Sequence, residues 1–274
     1  MPRKALATLV IGDRYAQVFQ YAFRPGWEAY CRRHGLDLVV VNEPLDQSER
    51  ARKRSPAWQK LLIHQTPALK GYDQIAWVDS DIAIAPEAPD IFQRVPVDRV
   101  GAVNDHATPS REDHRLVTER AYKQWDAAGI PYIPNLTAQE FYASVGITCD
   151  YEDVVQTGVF VFSPALHASI LEDTYARYED PGDNGLNHEM RFFSYELIKA
   201  GVVEWLSVKF NMMWTCYQAL HYPFLEFPET LPGRWPAPLK KKVSQYLRPA
   251  CVRAAFANNH FLHFAGGCKD FLHL

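Results

Sequence analysis

Ile75–Ile84 reads IAWVDSDIAI, an apolar run of strand length that leads into two carboxylates separated by one residue. Positions i and i+2 of an extended chain face the same side, so Asp79 and Asp81 should point into one small volume, with Ser80 pointing away. Two carboxylates this close repel each other unless a cation lies between them or one is protonated. Oxygen ligands at the end of a buried strand suit Mg²⁺ or Mn²⁺. The stretch predicts a metal–diphosphate site, with a plain polar exit from the strand as the alternative.

Strands and helices are predicted to alternate up to this stretch. The expected elements are a strand at 5–11, a helix at 15–34 broken near residues 24–26, a strand at 36–41, a helix at 56–69 and a strand at 75–79. This order is typical of α/β folds with a largely parallel sheet. Functional groups in such sheets gather beyond the carboxyl ends of the strands, where Asp13 and Asp79 both lie.

The second part of the chain is predicted to contain fewer strands and a long polar region at 104–150. The expected elements are strands at 98–103 and 154–162, helices at 164–178, 187–200 and 240–258, a Pro-rich loop at 228–238 and a short strand or turn at 260–264. These elements extend the same α/β pattern to the C-terminus.

Composition excludes several classes of protein. The 274 residues are 47% hydrophobic and 22% charged, as in ordinary globular proteins, and the net charge of −3 gives no general attraction to nucleic acid. No apolar run approaches the roughly 20 residues that cross a bilayer. The five cysteines are scattered, without a Cys-x-x-Cys pair, and we expect them to be reduced packing residues in a cytoplasmic protein.

The C-terminal stretch HFAGGCKDF at residues 263–271 carries a second signal. It resembles the pattern His-Phe-x-Gly-x-x-Lys-Pro-Trp of retaining GT-A glycosyltransferases of the glycogenin and bacterial galactosyltransferase type. The match includes His263, Phe264, Gly266 and Lys269, and the pattern is lost at 270–271, where Asp and Phe replace Pro-Trp. This resemblance implies a GT-A fold and a glycosyltransferase that uses a UDP-sugar.

Other segments match the same family in the correct order. Residues 12–16 (GDRYA) are similar to its Asn-Asp-x-Tyr-Ala, and residues 156–164 to its Asn-x-Gly-Val-Phe-Val-x-x-Pro. Residues 58–60 (WQK) before the paired carboxylates also look like the galactosyltransferases of yeast and plant Golgi. The resemblance covers most of the chain outside 104–150 and 205–258. It implies one domain over 1–274, with a nucleotide-binding half at 1–103 and an acceptor- and metal-binding half at 104–274.

The resemblance also implies roles for individual residues. The expected metal ligands are Asp79, Asp81 and His263. The expected nucleotide and diphosphate contacts are Asp13, Tyr15, Lys60, Ser80, Gly266, Gly267 and Lys269. The expected sugar contacts are Asp105, Gln156 and Glu189, and the last two are also the candidates for a catalytic role. Relatives carry an Asp-Gln pair near 187–189, so the carboxylate of Glu189 is displaced from the family position, and a helix N-terminal acid is its alternative role.

The chemistry of these side chains fits such a reaction. Cleavage of a nucleotide-sugar leaves charge on a diphosphate, which a divalent cation and a lysine stabilise. A neutral imidazole such as His263 is an acceptable ligand for Mn²⁺. The glycines at 266–267 allow backbone N–H groups to approach phosphate oxygens, and Lys269 adds a positive charge. No strong protein nucleophile is evident, which is compatible with a reaction that keeps the anomeric configuration.

Three alternatives stay open at this point. A haloacid-dehalogenase-like phosphatase also uses Asp-x-Asp after a strand, but it carries Thr or Val two residues later, where this chain has Ala83. A sugar nucleotidyltransferase would need a Gly-rich basic loop near the start. The third is a non-catalytic module that binds a nucleotide-sugar or a glycan.

Two further surfaces are candidates for partners. The aromatic residues of 104–150 suit the faces of acceptor sugar rings, or form plain core. The helix at 239–257 is basic and amphipathic, so it either contacts anionic lipid at the inner face of the membrane or presents a solvated face.

Overall fold

The computed structural model describes residues 2–130, 132, 134–182 and 188–274. The strands are β1 (Lys4–Leu9), β2 (Asp37–Val41), β3 (Gln74–Val78), β4 (Ile82–Ile84), β5 (Val100–Asn104), β6 (Val155–Phe162), β7 (Val203–Trp205), β8 (Met212–Met213) and β9 (Phe261–His263). The α-helices are α1 (Asp13–Val18), α2 (Arg24–His34), α3 (Glu49–Arg52), α4 (Arg111–Ala128), α5 (Ala138–Ala143), α6 (Pro164–Arg177), α7 (Met190–Lys199), α8 (Trp214–His221) and α9 (Ala237–Asn258). The 3₁₀-helices include Pro56–Gln65 and Val208–Asn211.

The central sheet has the strand order β2-β1-β3-β6-β5-β7. Its strands run parallel except β6, which is antiparallel to both β3 and β5. The predicted α/β fold with a largely parallel sheet is therefore confirmed. A second, three-stranded sheet has the order β4-β9-β8, and Ile82 and Met213 both pair with His263 in it.

Both faces of the central sheet are buried, which explains why its strands read as continuous apolar runs. Along β3, Ala76 and Val78 face the core that contains α2 and the small sheet. Ile75 and Trp77 face the opposite core, which contains Pro56–Gln65, α6 and α7. The alternation follows the period-2 geometry of a strand.

The helical prediction for 15–34 is correct in extent, but the expected break is different. A π-helical turn at Phe19–Phe23 joins α1 to α2 without a non-helical break, and Pro25 stands in the first turn of α2, where its missing N–H is tolerated. Gly35 ends α2 in the left-handed conformation, as predicted. The helix expected at 56–69 consists of 3₁₀ turns.

Three strands were not predicted. β4, β7 and β8 have three, three and two residues, too short to show a periodic pattern. The helix expected at 187–200 is observed as α7, and Asn187 lies outside the described residues. Within the described part of the chain, no helix is long and apolar enough to cross a bilayer.

Candidate metal and diphosphate site

Asp79 and Asp81 lie in the short connection that carries the chain from the central sheet into the small sheet. This connection is fixed on both sides, because the N–H of Asp79 donates to the carbonyl of Gly158 at 2.8 Å and the carbonyl of Asp81 accepts from the N–H of Phe264 at 3.0 Å. The pairing of Ile82 with His263 then brings the imidazole to the carboxylates. One ligand atom from each of Asp79, Asp81 and His263 lies within 4.8 Å of the others.

A buried lysine contacts one side of this cluster. The Nζ atom of Lys60 lies 3.1 Å from Oδ1 of Asp79 and 3.0 Å from Oε1 of Glu189. The side chains of Lys60 and Glu189 are 5% and 3% exposed. Oε1 of Glu189 also accepts a hydrogen bond from the Thr157 hydroxyl at 2.8 Å, and Oδ1 of Asp79 accepts one from Trp77 Nε1 at 2.8 Å. The lysine charge is thus shared between two carboxylates.

His263 contacts the other side. Its Nε2 atom lies 3.1 Å from Oδ1 of Asp81, and its Nδ1 atom lies 3.0 Å from Oδ1 of Asn211. Asn211 donates from Nδ2 to Oε1 of Gln156 at 2.7 Å, and the N–H of Gly158 donates to the same oxygen at 2.6 Å. Gln156 therefore directs its carbonyl oxygen to these two donors.

The ionisation of the cluster reflects burial and the charges of neighbouring side chains. Burial raises the pKa of Asp79, although Lys60 opposes the shift. Burial would also raise the pKa of Asp81, but the adjacent His263 outweighs it and the pKa is lowered. Burial would lower the pKa of His263, and the carboxylates of Asp81 and Asp79 reverse this effect and raise it. For Lys60, burial is likewise outweighed by Asp79 and Glu189, so its pKa is raised.

The donor set fits a divalent cation. Two carboxylates and an imidazole are ligands that Mn²⁺ and Mg²⁺ sites use in proteins. When His263 is neutral, as a metal ligand must be, Lys60 does not balance Asp79, Asp81 and Glu189, and a divalent cation would offset the remaining negative charge. Of the predicted site residues, the structure brings together the three expected ligands with Lys60, Gln156 and Glu189.

Five of the residues expected at the nucleotide are exposed: Asp13, Tyr15, Gly266, Gly267 and Lys269. Asp13 opens α1 just beyond β1, and Tyr15 is 65% exposed in its first turn. Gly266 and Gly267 follow β9, both with φ of 73° and no atom within 4 Å of an added Cβ. Among the described residues, no hydrogen bond or ion pair joins Asp13, Tyr15 or Lys269 to the carboxylate cluster.

Ser80 and Asp105 are partly buried. Ser80 lies between the two carboxylates in sequence, in the connection between β3 and β4. Asp105 directly follows β5, and its N–H donates to the carbonyl of Val154 at 2.8 Å. Burial raises the pKa of Asp105, with His114 and His263 opposing the shift. Asp105 therefore also lies at a strand end, within electrostatic reach of His263.

The C-terminal residues that depart from the family pattern have structural partners. Oδ2 of Asp270 accepts hydrogen bonds from Trp214 Nε1 and from a guanidinium nitrogen of Arg248, each at 2.7 Å. The Phe271 ring lies 5.3 Å from that of Phe23. These contacts anchor the segment that carries the two glycines to α8, α9 and the π-helical turn.

Sequence reasoning did not identify Trp77, Thr157 or Asn211 as site residues. Trp77 and Thr157 are adjacent to predicted site residues, which is the signal that would have found them. Asn211 precedes the two-residue strand β8, and no local pattern marks it. Its role follows only from the packing of the 3₁₀-helix Val208–Asn211 against β9 and β6.

No protein-family model matches the chain, and no curated protein is significantly similar to it in sequence. Its structure is similar to that of a glycosyltransferase involved in the glycosylation of the major capsid of PBCV-1, with 13% identity over 98% of both chains and a TM-score of 0.51. The bifunctional glycosyltransferase WbbM is 15% identical over 99% of this chain and 49% of its own, with a TM-score of 0.47. The galactosyltransferase LgtC, solved with donor and acceptor sugar analogues, is 14% identical over 96% of this chain and 87% of its own, with a TM-score of 0.45.

The structure with a TM-score of 0.51 is that of a glycosyltransferase, and the sheet order and flanking helices are consistent with that class of fold. The haloacid-dehalogenase alternative is not favoured. The chain has the α/β fold of the GT-A glycosyltransferases.

Proposed function

We propose that this protein is a metal-dependent glycosyltransferase that moves a hexose, glucose or galactose, from a UDP-sugar to a glycan or another hydroxyl acceptor with retention of anomeric configuration. The observation that carries the proposal is the cluster of Asp79, Asp81 and His263 at the carboxyl end of β3 in a GT-A fold. In open α/β sheets, this edge is where ligands bind.

The proposed cofactor is Mn²⁺ or Mg²⁺, held by Asp79, Asp81 and His263. When bound, the cation stabilises negative charge on the diphosphate leaving group. Lys60 is held near the same position by Asp79 and Glu189 and supplies a fixed positive charge. Ser80, beside the metal ligands, is proposed to donate to the diphosphate.

The loop after β9 is proposed to bind the diphosphate from its other side. Gly266 and Gly267 have left-handed backbone conformations, and both residues are exposed. Successive backbone N–H groups in such turns bind anions. The exposed side chain of Lys269 adds charge in the same loop.

Different residues are proposed to bind the base and the sugar. The exposed ring of Tyr15 is proposed to stack on uracil, and Asp13 to bind the base or ribose. Asp105 and Glu189 are proposed to contact the donor sugar. By resemblance to retaining enzymes, the leaving diphosphate helps deprotonate the incoming hydroxyl on the same face of the sugar, which needs no protein nucleophile.

The test is metal-dependent release of UDP. Purified protein is incubated with UDP-glucose, UDP-galactose or their N-acetyl forms, with and without Mn²⁺, beside Asp81→Ala, His263→Ala and the control Asp173→Asn on the exposed surface of α6. Release from one donor that is lost in both site variants and kept in the control supports the proposal. Mn²⁺-dependent UDP binding without turnover would indicate the non-catalytic module. If the protein neither binds UDP nor releases it from a donor, the proposed metal–nucleotide site is wrong.

The exposed N-terminal part of α9 is proposed to bind anionic lipid. Leu239 and Tyr246 are 45% and 84% exposed, and Lys241 and Lys242 are exposed between them. Aromatic, aliphatic and cationic side chains on one exposed helix suit a lipid headgroup surface. Sedimentation with vesicles containing phosphatidylglycerol, compared with pure phosphatidylcholine, tests this; equal binding of wild type and Lys241→Glu/Lys242→Glu would contradict it.

A further inference from the structure

The backbone N–H of Gly158 determines the orientation of a neighbouring side-chain amide. The N–H of Gly158 can only donate, and its acceptor at 2.6 Å is Oε1 of Gln156. The two residues are at i and i+2 of β6, so they share one face of the strand. The Gln156 amide is therefore oriented with its oxygen towards Gly158.

This orientation determines the next amide and then the imidazole. Oε1 of Gln156 lies 2.7 Å from an amide atom of Asn211, which must be the donor Nδ2. The remaining oxygen of Asn211 then faces Nδ1 of His263 at 3.0 Å and accepts its proton. Because Nδ1 keeps its proton, Nε2 is the nitrogen with the lone pair available for a metal, and it faces Asp81.

The chain of hydrogen bonds is shielded from solvent. Asn211, His263 and Gln156 are 0%, 3% and 7% exposed, so any unpaired polar atom among them would carry a desolvation penalty. Gly158 also contacts the imidazole closely, since an added Cβ would lie 2.7 Å from Cε1 of His263. Alternative orientations of the imidazole are therefore restricted by both hydrogen bonding and packing.

We infer that Gln156 and Asn211 are positioning residues that hold His263 in the Nδ1–H tautomer and direct Nε2 to a divalent cation. The inference rests on the metal site of the proposed function. It gives Gln156 a positioning role in place of the catalytic and sugar-binding role expected from the sequence, because its carbonyl oxygen already accepts two hydrogen bonds within the protein. Partners that orient a metal-binding histidine typically change metal affinity about 10- to 100-fold.

The experiment measures Mn²⁺ affinity by electron paramagnetic resonance of the free ion in wild type, Asn211→Leu, Asn211→Asp and the control Asn259→Leu. Asn259 is a buried asparagine whose side chain bonds within α9 at Ala255. We expect the dissociation constant to rise about 10- to 100-fold in Asn211→Leu and to return near the wild-type value in Asn211→Asp, which retains an acceptor for Nδ1–H. A role in packing alone predicts the opposite ranking, because leucine is apolar and aspartate places a charge in the interior.

A second readout separates orientation from the added charge of aspartate. Mg²⁺-saturated protein labelled with ¹⁵N-histidine is studied by NMR, and the Nδ1–H signal of His263 is assigned by its disappearance in His263→Ala. We expect this slowly exchanging signal in wild type and in Asn211→Asp, and its absence from Asn211→Leu. If Asn211→Leu does not fold, Gln156→Met and Gln156→Glu make the same comparison, because only glutamate can accept from Gly158 and Asn211.

The outcomes distinguish this inference from the proposed function. If wild type binds Mn²⁺ and Asn211→Leu binds it with the same affinity as wild type, the positioning role is overturned and the proposed function stays intact. The same conclusion follows if Gln156→Met and Gln156→Glu bind Mn²⁺ with equal affinity. A wild-type protein that binds no Mn²⁺ would overturn both.

Discussion

The ammonium group of Lys60 lies 3.0 Å from the carboxylate of Glu189, and both side chains are almost completely buried. A buried ion pair contributes little net stability, but removal of one partner leaves an uncompensated charge. Lys60 also contacts Asp79 at 3.1 Å, so one cation lies between Glu189, a candidate sugar contact, and a candidate metal ligand.

We expect Lys60→Met to lower the free energy of unfolding by about 3–5 kcal/mol, because Glu189 would remain buried without a cation. Urea unfolding in the presence of EDTA measures this effect without metal binding. Lys70→Met, at an exposed position, is the matched control. A loss in Lys60→Met no larger than in the control would show that Glu189 takes up a proton or finds another partner.

As the pH is lowered, the affinity for Mn²⁺ should begin to decrease while the pH is still above 6.5. The pKa of His263 is raised above its ordinary value of 6.5, because Asp81 and Asp79 outweigh the effect of burial. A metal binds the neutral imidazole, so protonation competes with it, and the dissociation constant should rise about tenfold per pH unit below that pKa. Titration with Mn²⁺ across a pH series gives the pH at which the affinity begins to fall. A value below 6.5 would contradict the predicted upward shift of the His263 pKa.

Gly158→Ala should displace His263. The new methyl group would lie 2.7 Å from Cε1 and 2.9 Å from Nδ1 of the imidazole, so the ring must move. We expect a destabilisation of about 1–3 kcal/mol, as for other overpacked sites, together with weaker Mn²⁺ binding. Gly101→Ala, which instead crowds Val95, should be destabilised without a change in Mn²⁺ affinity. Equal metal affinity in both variants would show that the imidazole tolerates the shift.

Gly266→Ala should weaken UDP binding in the presence of Mn²⁺ by about tenfold, the equivalent of a hydrogen bond to a charged group. The residue has φ of 73° and open space around Cα, so the substitution acts on the backbone conformation only. Gly129→Ala, at φ of 64° after α4, carries the same strain of about 1–2 kcal/mol away from the site. Calorimetric titration with UDP compares them, and an equal dissociation constant would remove the phosphate role of this loop.

Much of the architecture was predictable from local patterns. The apolar runs around residues 5–11, 75–79 and 154–162 indicated strands, and each is a strand of the central sheet. The short strands β4 and β8 were not predictable, because their stability comes from pairing with β9 and not from their own periodicity. The candidate metal ligands were likewise identified from spacing and resemblance.

The carboxylates of Asp79 and Asp81 converge through a turn, in which the N–H of Ile82 donates to the carbonyl of Asp79 at 3.2 Å, and not through the expected alternation along an extended chain. The sequence by itself determined that the two residues follow a buried strand, because an apolar run is a local pattern. It also determined the α/β order that places strand ends at a common edge. Only the tertiary structure decided that Lys60 is shared with Glu189 and that Gln156 and Asn211 orient His263. The physical reason is that buried polar groups must find partners wherever packing brings donors and acceptors together, and such contacts join residues far apart in sequence.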